Sequence, residues 1–267
     1  MQSFLNDKNY SVCSLYSGSK GNSVLIRSES ARILIDAGKS AKALCAALCS
    51  VGEDISNIDA IFITHEHCDH VKALEVLLKK HPIPVHIVEA SAKKLIGGGL
   101  LDFAELFCIH KPRFEVKIGN MTVSSFETSH DSEFSVGYKI DVDCGDSVKH
   151  IGYATDVGYV TESVRSSLTG CETVVLESNH DLDMLMEGPY PYDLKLRIAS
   201  NRGHLSNADC AALAAELCAN GTKNILLAHL SEENNRPELA FDEVFSAVAD
   251  DSVNIRIADQ KECVVLL

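Results

Sequence analysis

Tryptophan is absent from this 267-residue chain, and aromatic residues make up only 6% of it. No dedicated base-stacking platform can therefore be picked out. Phe134, Tyr138, Tyr190 and Tyr192 are the rings able to stack a base or two, and each also suits an ordinary core or loop position. The ten cysteines contain no CxxC pair, which argues against a zinc ribbon or a disulfide framework, so they read as reduced thiols of the core. No stretch approaches the ~20 apolar residues of a membrane span, and the N-terminus, MQSFLNDKNYSVCSLYSGSKG, has no apolar run after a basic start. A cytoplasmic protein with no membrane partner is expected. Positive charge is scarce as well. A net charge of -14 disfavours a broad basic surface for duplex nucleic acid. Anionic substrates stay open, because two divalent cations would concentrate four positive charges at one spot.

An apolar fraction of 46% is ample for a core. No low-complexity segment, internal repeat or Pro/Gly linker divides the chain, so residues 1–267 are read as one domain. Segments 12–16, 23–27 and 32–36 read as strands joined by turns, and 39–51 as a helix stopped by Gly52. A short apolar strand over 60–64 precedes a histidine cluster, and a helix begins near Val71. Further strands are expected at Val85–Val88, Glu115–Ile118, Met121–Glu127, 135–142 and 149–154. A helix, the strand Thr173–Glu177, two helices, the strand Asn224–Ala228, another helix and two closing strands follow. In GHLSNADCAALAAELCANG, Ser206 caps a helix whose buried stripe is Cys210, Leu213, Ala214, Leu217 and Cys218, leaving His204 just before it. This pattern predicts a layered α/β protein.

The most informative stretch is ITHEHCDHV. Alternate side chains of an extended segment share a face, so His65 and His67 can reach one cation together, and a turn then brings Asp69 and His70 to a second. Imidazoles with a carboxylate suit zinc, iron or manganese better than magnesium or calcium. His130, Asp156 and His229 each end an apolar run in the same manner and can converge on one sheet edge. Asp36, at the end of RILID, is read as a carboxylate orienting the histidine loop.

In that order Asp36, His65, His67, Asp69, His70, His130, Asp156 and His229 resemble the signature of the metallo-β-lactamase superfamily of metal-dependent hydrolases. The resemblance covers nearly the whole chain. It implies a four-layer αββα sandwich of two similar halves with a dinuclear centre at the edge between the sheets. SLYSGSKGNSVLI, LIDAG, TSHD, YATDVG, LESNHD, YPYDLKLRIASNRGHLSN and LLAHLSEENNRPE bring it closer to the YycJ/WalJ branch, whose members are described as single-strand-directed exonucleases. The resemblance further implies that His65, His67 and His130 hold one ion, that Asp69, His70 and His229 hold the other, and that Asp156 bridges them. Cys68 stands where a small residue such as serine is expected, and alternation points it away from the ions.

Superfamily membership alone does not choose a substrate. His204 occupies the place where phosphodiesterase branches carry a histidine beside the leaving oxygen, so it resembles a general acid, with a loop or cap role as the alternative. Asn179 and His180 suit either a phosphate oxygen or the restraint of a ligand histidine. In SGSKGNS, Ser19 and Asn22 are candidate phosphate contacts and Lys20 a candidate neutralising charge, unless the segment is a plain hairpin turn. The span from Asp156 to His229 is too short for a large inserted clamping domain. The expected activity is hydrolysis of phosphodiesters using two divalent ions (manganese or zinc, with iron the third option), most simply a 5'-3' exonuclease on single-stranded DNA. A metal-bridging hydroxide oriented by Asp69 attacks, and His204 serves as acid. A hydrolase of small or cyclic phosphodiesters is the nearest alternative; a thioester or lactam hydrolase, or a regulatory protein that kept the fold, is more remote.

Overall fold

The structure is a computed structural model that describes residues 10–267. The first half runs β1 (Tyr10–Tyr16), β2 (Ser23–Ser28), β3 (Arg32–Ile35), α1 (Ala41–Ser50), β4 (Ala60–Phe62), α2 (Cys68–Val71), α3 (Leu74–Leu78), β5 (Val85–Val88), α4 (Glu89–Leu95) and β6 (Phe107–His110). The second runs β7 (Glu115–Ile118), β8 (Met121–Glu127), β9 (Val136–Asp143), β10 (Val148–Ala154), α5 (Glu162–Leu168), β11 (Thr173–Glu177), α6 (Leu182–Glu187), α7 (Tyr192–Ile198), α8 (Asn207–Ala219), β12 (Asn224–Ala228), α9 (Pro237–Val248) and β13 (Asn254–Ile257). A short β14 (Val264–Val265) then returns to pair with β1.

Among the described residues these strands form two seven-stranded sheets, ordered β14-β1-β2-β3-β4-β5-β6 and β13-β12-β11-β10-β9-β8-β7. Strand alternation explains the layering. Ile33 and Ile35 face the space between the sheets, where they meet Val136, Tyr138 and Tyr153, while Leu34 faces α1 and α3 through Leu44, Leu48 and Leu74. In the other sheet Val175 points inward, whereas Val174 and Leu176 pack on Leu168, Leu213 and Val244 of the outer helices. Three apolar interfaces between four layers make the αββα sandwich that was expected.

The sheets share one pattern. From β14 to β3 the pairings are antiparallel and from β3 to β6 parallel; from β7 to β10 they are antiparallel and from β10 to β13 parallel. The halves therefore repeat in topology although no repeat is legible in their residues, because a buried strand asks only for apolar side chains and not for particular ones.

Several boundaries depart from the sequence pattern. The helix expected near Val71 begins at Cys68, with His67 as its N-cap. Its carbonyls are gripped from outside: Asn22 N donates to Asp69 O (2.8 Å) and Ala37 N to His70 O (2.7 Å). Gly38 permits this, since a Cβ there would lie 1.5 Å from Asp69 O. Strand β6 went unrecognised; it follows a 3-10 turn over Leu101–Leu106 and carries only one fully buried residue, Phe107. Helix α8 starts where expected, with Ser206 Oγ accepting from Asp209 N. All ten cysteines are free thiols, but Cys49 and Cys68 are exposed, so the reading of every thiol as core is corrected: Cys49 lies on the solvent side of α1. No helix among the described residues is long and apolar enough to cross a membrane.

Candidate metal centre

Residues ending β3, β4, β8, β10, β11 and β12 gather at one end of the sandwich. Three residues there, Asp36, Asp156 and His229, have positive φ (64°, 57° and 58°). A left-handed residue costs about 1–2 kcal/mol for non-glycine side chains, so the fold holds these three against local preference.

Tautomers follow from the partners. Asp36 accepts from Thr64 N (2.9 Å), from Thr64 Oγ1 (2.9 Å to Oδ2) and from His70 Nδ1 (2.8 Å). With its hydroxyl proton given to Asp36, Thr64 Oγ1 accepts from His65 Nδ1 at 3.0 Å. His130 Nδ1 donates to Gly203 O at 3.0 Å, and His229 Nδ1 to Glu177 Oε1 at 2.8 Å. Each ring spends its Nδ1 proton on a fixed partner, which leaves Nε2 as the free ligand atom, as is usual for imidazoles bound to metals.

Those free atoms converge. Candidate ligand atoms of His65, His67 and His130 lie within 4.8 Å of one another, as do those of Asp69, His70 and His229. Asp156 lies between the groups, with Oδ2 3.4 Å from His70 Nε2 and Oδ1 3.7 Å from both His130 Nε2 and His229 Nδ1. His65 Nε2, His229 Nε2 and Asp156 Oδ2 are buried without a hydrogen-bond partner. Such orphans are costly unless something satisfies them.

Charge gives the same answer. Asp36, Asp69, Asp156 and Glu177 are ion-paired to histidines. Burial disfavours charge throughout, yet Asp156 and its neighbouring carboxylates reverse this for His70 and His229 and lift both well above the imidazole range. His65, which is buried and faces the charge of His70, is pushed well below it and stays neutral. Carboxylates that draw protons onto imidazoles would equally draw divalent cations, with release of those protons. The donor set fits metal: five imidazoles and two carboxylates, a composition suited to zinc, manganese or iron.

Glu177 was not singled out from the sequence as a site residue. It is fully buried and accepts four hydrogen bonds, from His204 Nδ1 and His229 Nδ1 (2.8 Å each), Val157 N (2.7 Å) and Leu205 N (3.1 Å). It thus ties the loop of Asp156, the loop of His204 and the candidate ligand His229 to one strand end. Burial raises its pKa, but the two imidazoles more than offset that and hold it down at about 2. In return Glu177 outweighs the burial of His204 and raises its pKa. The available signal was its position, a carboxylate closing the apolar run TVVLE.

A cleft of about 420 Å³ opens over these residues and is lined by His67, Asp69, His130, Asp156, His204 and His229 among others. A larger groove, about 650 Å³, lies between Val88, Lys94 and Phe134 and contains none of the ligand candidates. Of the four proposed substrate contacts, Ser19 and Asn179 line the cleft. Asn22 is buried and reaches Asp69 Oδ2 (3.3 Å) and His70 Nε2 (3.2 Å), while His180 is buried with neither ring nitrogen partnered. Asn179 Nδ2 donates to His229 O (2.8 Å). Lys20 is paired with Glu232 at 2.5 Å. Cys68 is exposed. Tyr138, a possible stacking ring by sequence, is instead sealed in the core with its hydroxyl on Ile63 O.

Sandwich, strand-end cleft and histidine–carboxylate cluster together define a metal-dependent hydrolase of the metallo-β-lactamase superfamily, and a β-lactamase superfamily domain matches residues 31–229. Within the superfamily the chain is YycJ/WalJ-like. It is 37% identical over 230 residues to the exodeoxyribonuclease YycJ of Bacillus anthracis, covering 85% of this chain and 84% of that one. It is 34% identical over 234 residues to the exodeoxyribonuclease WalJ of Streptococcus pneumoniae, covering 86% and 84%. Among solved structures, the metallo-β-lactamase fold protein YhfI from Bacillus subtilis superposes with a TM-score of 0.72 over 97% of this chain and 100% of that one, at 17% identity.

Proposed function

We propose that the protein hydrolyses phosphodiester bonds of single-stranded DNA from the 5' end, using two divalent cations. His65, His67 and His130 would hold one cation, Asp69, His70 and His229 the other, and Asp156 both. Bound there, the cations would acidify water and neutralise charge on the phosphate. Asp69 would orient the attacking oxygen. Asn22 and Asp36 keep Asp69 and His70 in place, which makes Asn22 a positioning residue on this reading.

The observation that carries the choice of phosphodiesters is His204. It lines the cleft, and Glu177 raises its pKa and fixes its Nδ1 at 2.8 Å. A protonated imidazole beside the ligand cluster suits an alkoxide leaving group that must be protonated as its bond to phosphorus breaks. Thioester hydrolysis gives such a residue less to do, because a thiolate leaves without a proton. The names of the YycJ and WalJ relatives support DNA as the polymer. The volume of the cleft, about 420 Å³, favours a small phosphodiester as the second reading, since it takes a nucleotide-sized ligand more readily than a duplex.

Elemental analysis of the purified protein, followed by digestion of end-labelled single-stranded DNA, blunt duplex, RNA and a cyclic nucleotide, tests this. Two ions per chain and stepwise release from the 5' end of the single strand are expected. Inability to hydrolyse even an activated aryl phosphodiester with manganese or zinc supplied would overturn the reading; faster turnover of the cyclic nucleotide would replace the polymer with a small substrate.

A further inference from the structure

One side of the cleft carries no ligand candidates. It is built by Tyr190 and by Leu194, Arg197 and Ile198 of α7, whose spacing of three and four residues sets them on one helical face. We propose that this face is a nucleobase-stacking wall: Tyr190, Leu194 and Ile198 select a substrate that carries bases, independently of their identity.

The wall is fixed, not a loose flap. Lys195 Nζ donates to Met186 O at 2.6 Å, tying α7 to α6, and His204 N donates to Ile198 O at 2.9 Å. Ser129 Oγ, one residue before His130, donates to Asn201 O at 2.6 Å. Gly203 lets the helix end sit against the His204 loop, because a Cβ there would fall 2.0 Å from Ile198 O. The stacking surface is thus built onto the same loops that carry His130 and His204.

Tyr190, Leu194 and Ile198 suit a flat ring better than a phosphate, and Arg197, the cation beside them, is engaged by Asp131. Phosphodiester oxygens gain from charges and donors, which the opposite side of the cleft would supply; aliphatic carbon stabilises none of that charge. A base gains from a tyrosine ring and branched aliphatics on whichever face it presents. Arg197 pairs with Asp131, a cleft carboxylate that would otherwise repel an incoming strand. Tyr192 and Leu196, 69% and 46% exposed, lie on the opposite face of α7 and take no part in the wall. Stacking does not read Watson–Crick edges, so tolerance of sequence follows.

This inference takes from the phosphodiesterase reading only the position of the phosphate, and its test separates the two. Binding of a cleavage-resistant phosphorothioate oligothymidylate is measured by fluorescence anisotropy against the same oligomer with abasic residues; hydrolysis of methyl p-nitrophenyl phosphate is followed separately. The wild-type protein is expected to prefer the base-bearing strand, and Tyr190→Ala to weaken that strand alone by about 5- to 150-fold, with the abasic Kd unchanged. Tyr190→Phe should keep the preference. Equal binding of the two strands by the wild type, or equal weakening of both by Tyr190→Ala, overturns the wall, whether or not the small diester is cleaved. A base preference lost in Tyr190→Ala without any diester hydrolysis upholds the wall and removes the phosphodiesterase reading.

Discussion

Replacing Glu177 with glutamine tests the linkage at the centre of the site. The carboxylate accepts two backbone N–H groups on Oε2, from Val157 and Leu205, and two imidazole N–H groups on Oε1, from His204 and His229. An amide of the same shape accepts on one side only. Backbone donors cannot change, whereas imidazole tautomers can, so the amide oxygen should turn to Val157 and Leu205 and its NH2 to the two rings. Each Nδ1 must then accept, and the proton moves to Nε2. For His229 that is the atom left free as a ligand, so one cation should bind about 10- to 100-fold more weakly. His204 loses the carboxylate that raises its pKa, and turnover should fall by about 10²-fold or more. Exchanging two charge-assisted bonds for neutral ones inside a buried network costs about 2–4 kcal/mol, or roughly 5–15 °C in Tm. Inductively coupled plasma mass spectrometry after dialysis against graded metal, steady-state kinetics and thermal unfolding give the three numbers. A glutamine variant that keeps both ions at wild-type affinity and turns over within about fivefold of wild type would refute the argument.

His204→Ala should lower turnover by about 10²-fold or more while metal content stays at the wild-type value; loss of an ion along with activity would make His204 a ligand and not an acid. Gly38→Ala sets a Cβ 1.5 Å from Asp69 O, so the helix carrying Asp69 and His70 must shift, and the variant should lose one ion; full metal loading measured by mass spectrometry would contradict this. His86 stacks between Phe62 and His110, and burial first, then His110, pulls its pKa down to about 4. Between pH 6.5 and 4 the unfolded chain binds this proton and the folded one does not, so stability falls as pH drops through that window, by on the order of 1–2 kcal/mol once solvent screening of the ring pair is allowed for. His86→Phe should flatten that part of the Tm-against-pH curve, and parallel curves for the two proteins would discard the explanation.

Asp36, His65, Asp156 and His229 were legible because each is a polar residue closing an apolar run, a combination a simple strand end does not need, and His67, Asp69 and His70 because they follow His65 within one short turn. RILID, AIFITH, HIGYATD and NILLAH carry that combination, and the structure brings Asp36, His65, Asp156 and His229 to the same end of the sandwich. Glu177 closes TVVLE in the same manner but stayed unread, since its meaning depends on two histidines that lie 27 and 52 positions later in the chain. The early start of α2 escaped because it is set by backbone bonds from Asn22 and Ala37, not by local propensity. Tyr190 could be listed with the rings able to stack, but its neighbours on the wall could not. YPYDLKLRI is too short to reveal which face turns toward a cleft, and that is decided by Gly203 and Lys195 packing from either side.

The repeated topology explains why the centre is lopsided. Strands β3 and β10 occupy equivalent places, each paired antiparallel on one side and parallel on the other, and each is followed by an aspartate with positive φ. Asp36 is spent inside its own half, where Thr64 and His70 saturate it. Asp156 keeps a buried oxygen without a partner. The loops after the next strands diverge in the complementary sense: after β4 comes the run of ligand candidates His65 to His70, and after β11 come residues that grip a candidate without joining the cluster, with Glu177 holding His229 and Asn179 bound to its carbonyl. One half of the repeated frame thus carries four candidate donors together with the carboxylate that orients them, and the other carries His130, His229 and the carboxylate placed between the two groups. Cations bound at such a centre would need both halves, so metal binding should also oppose separation of the two sheets.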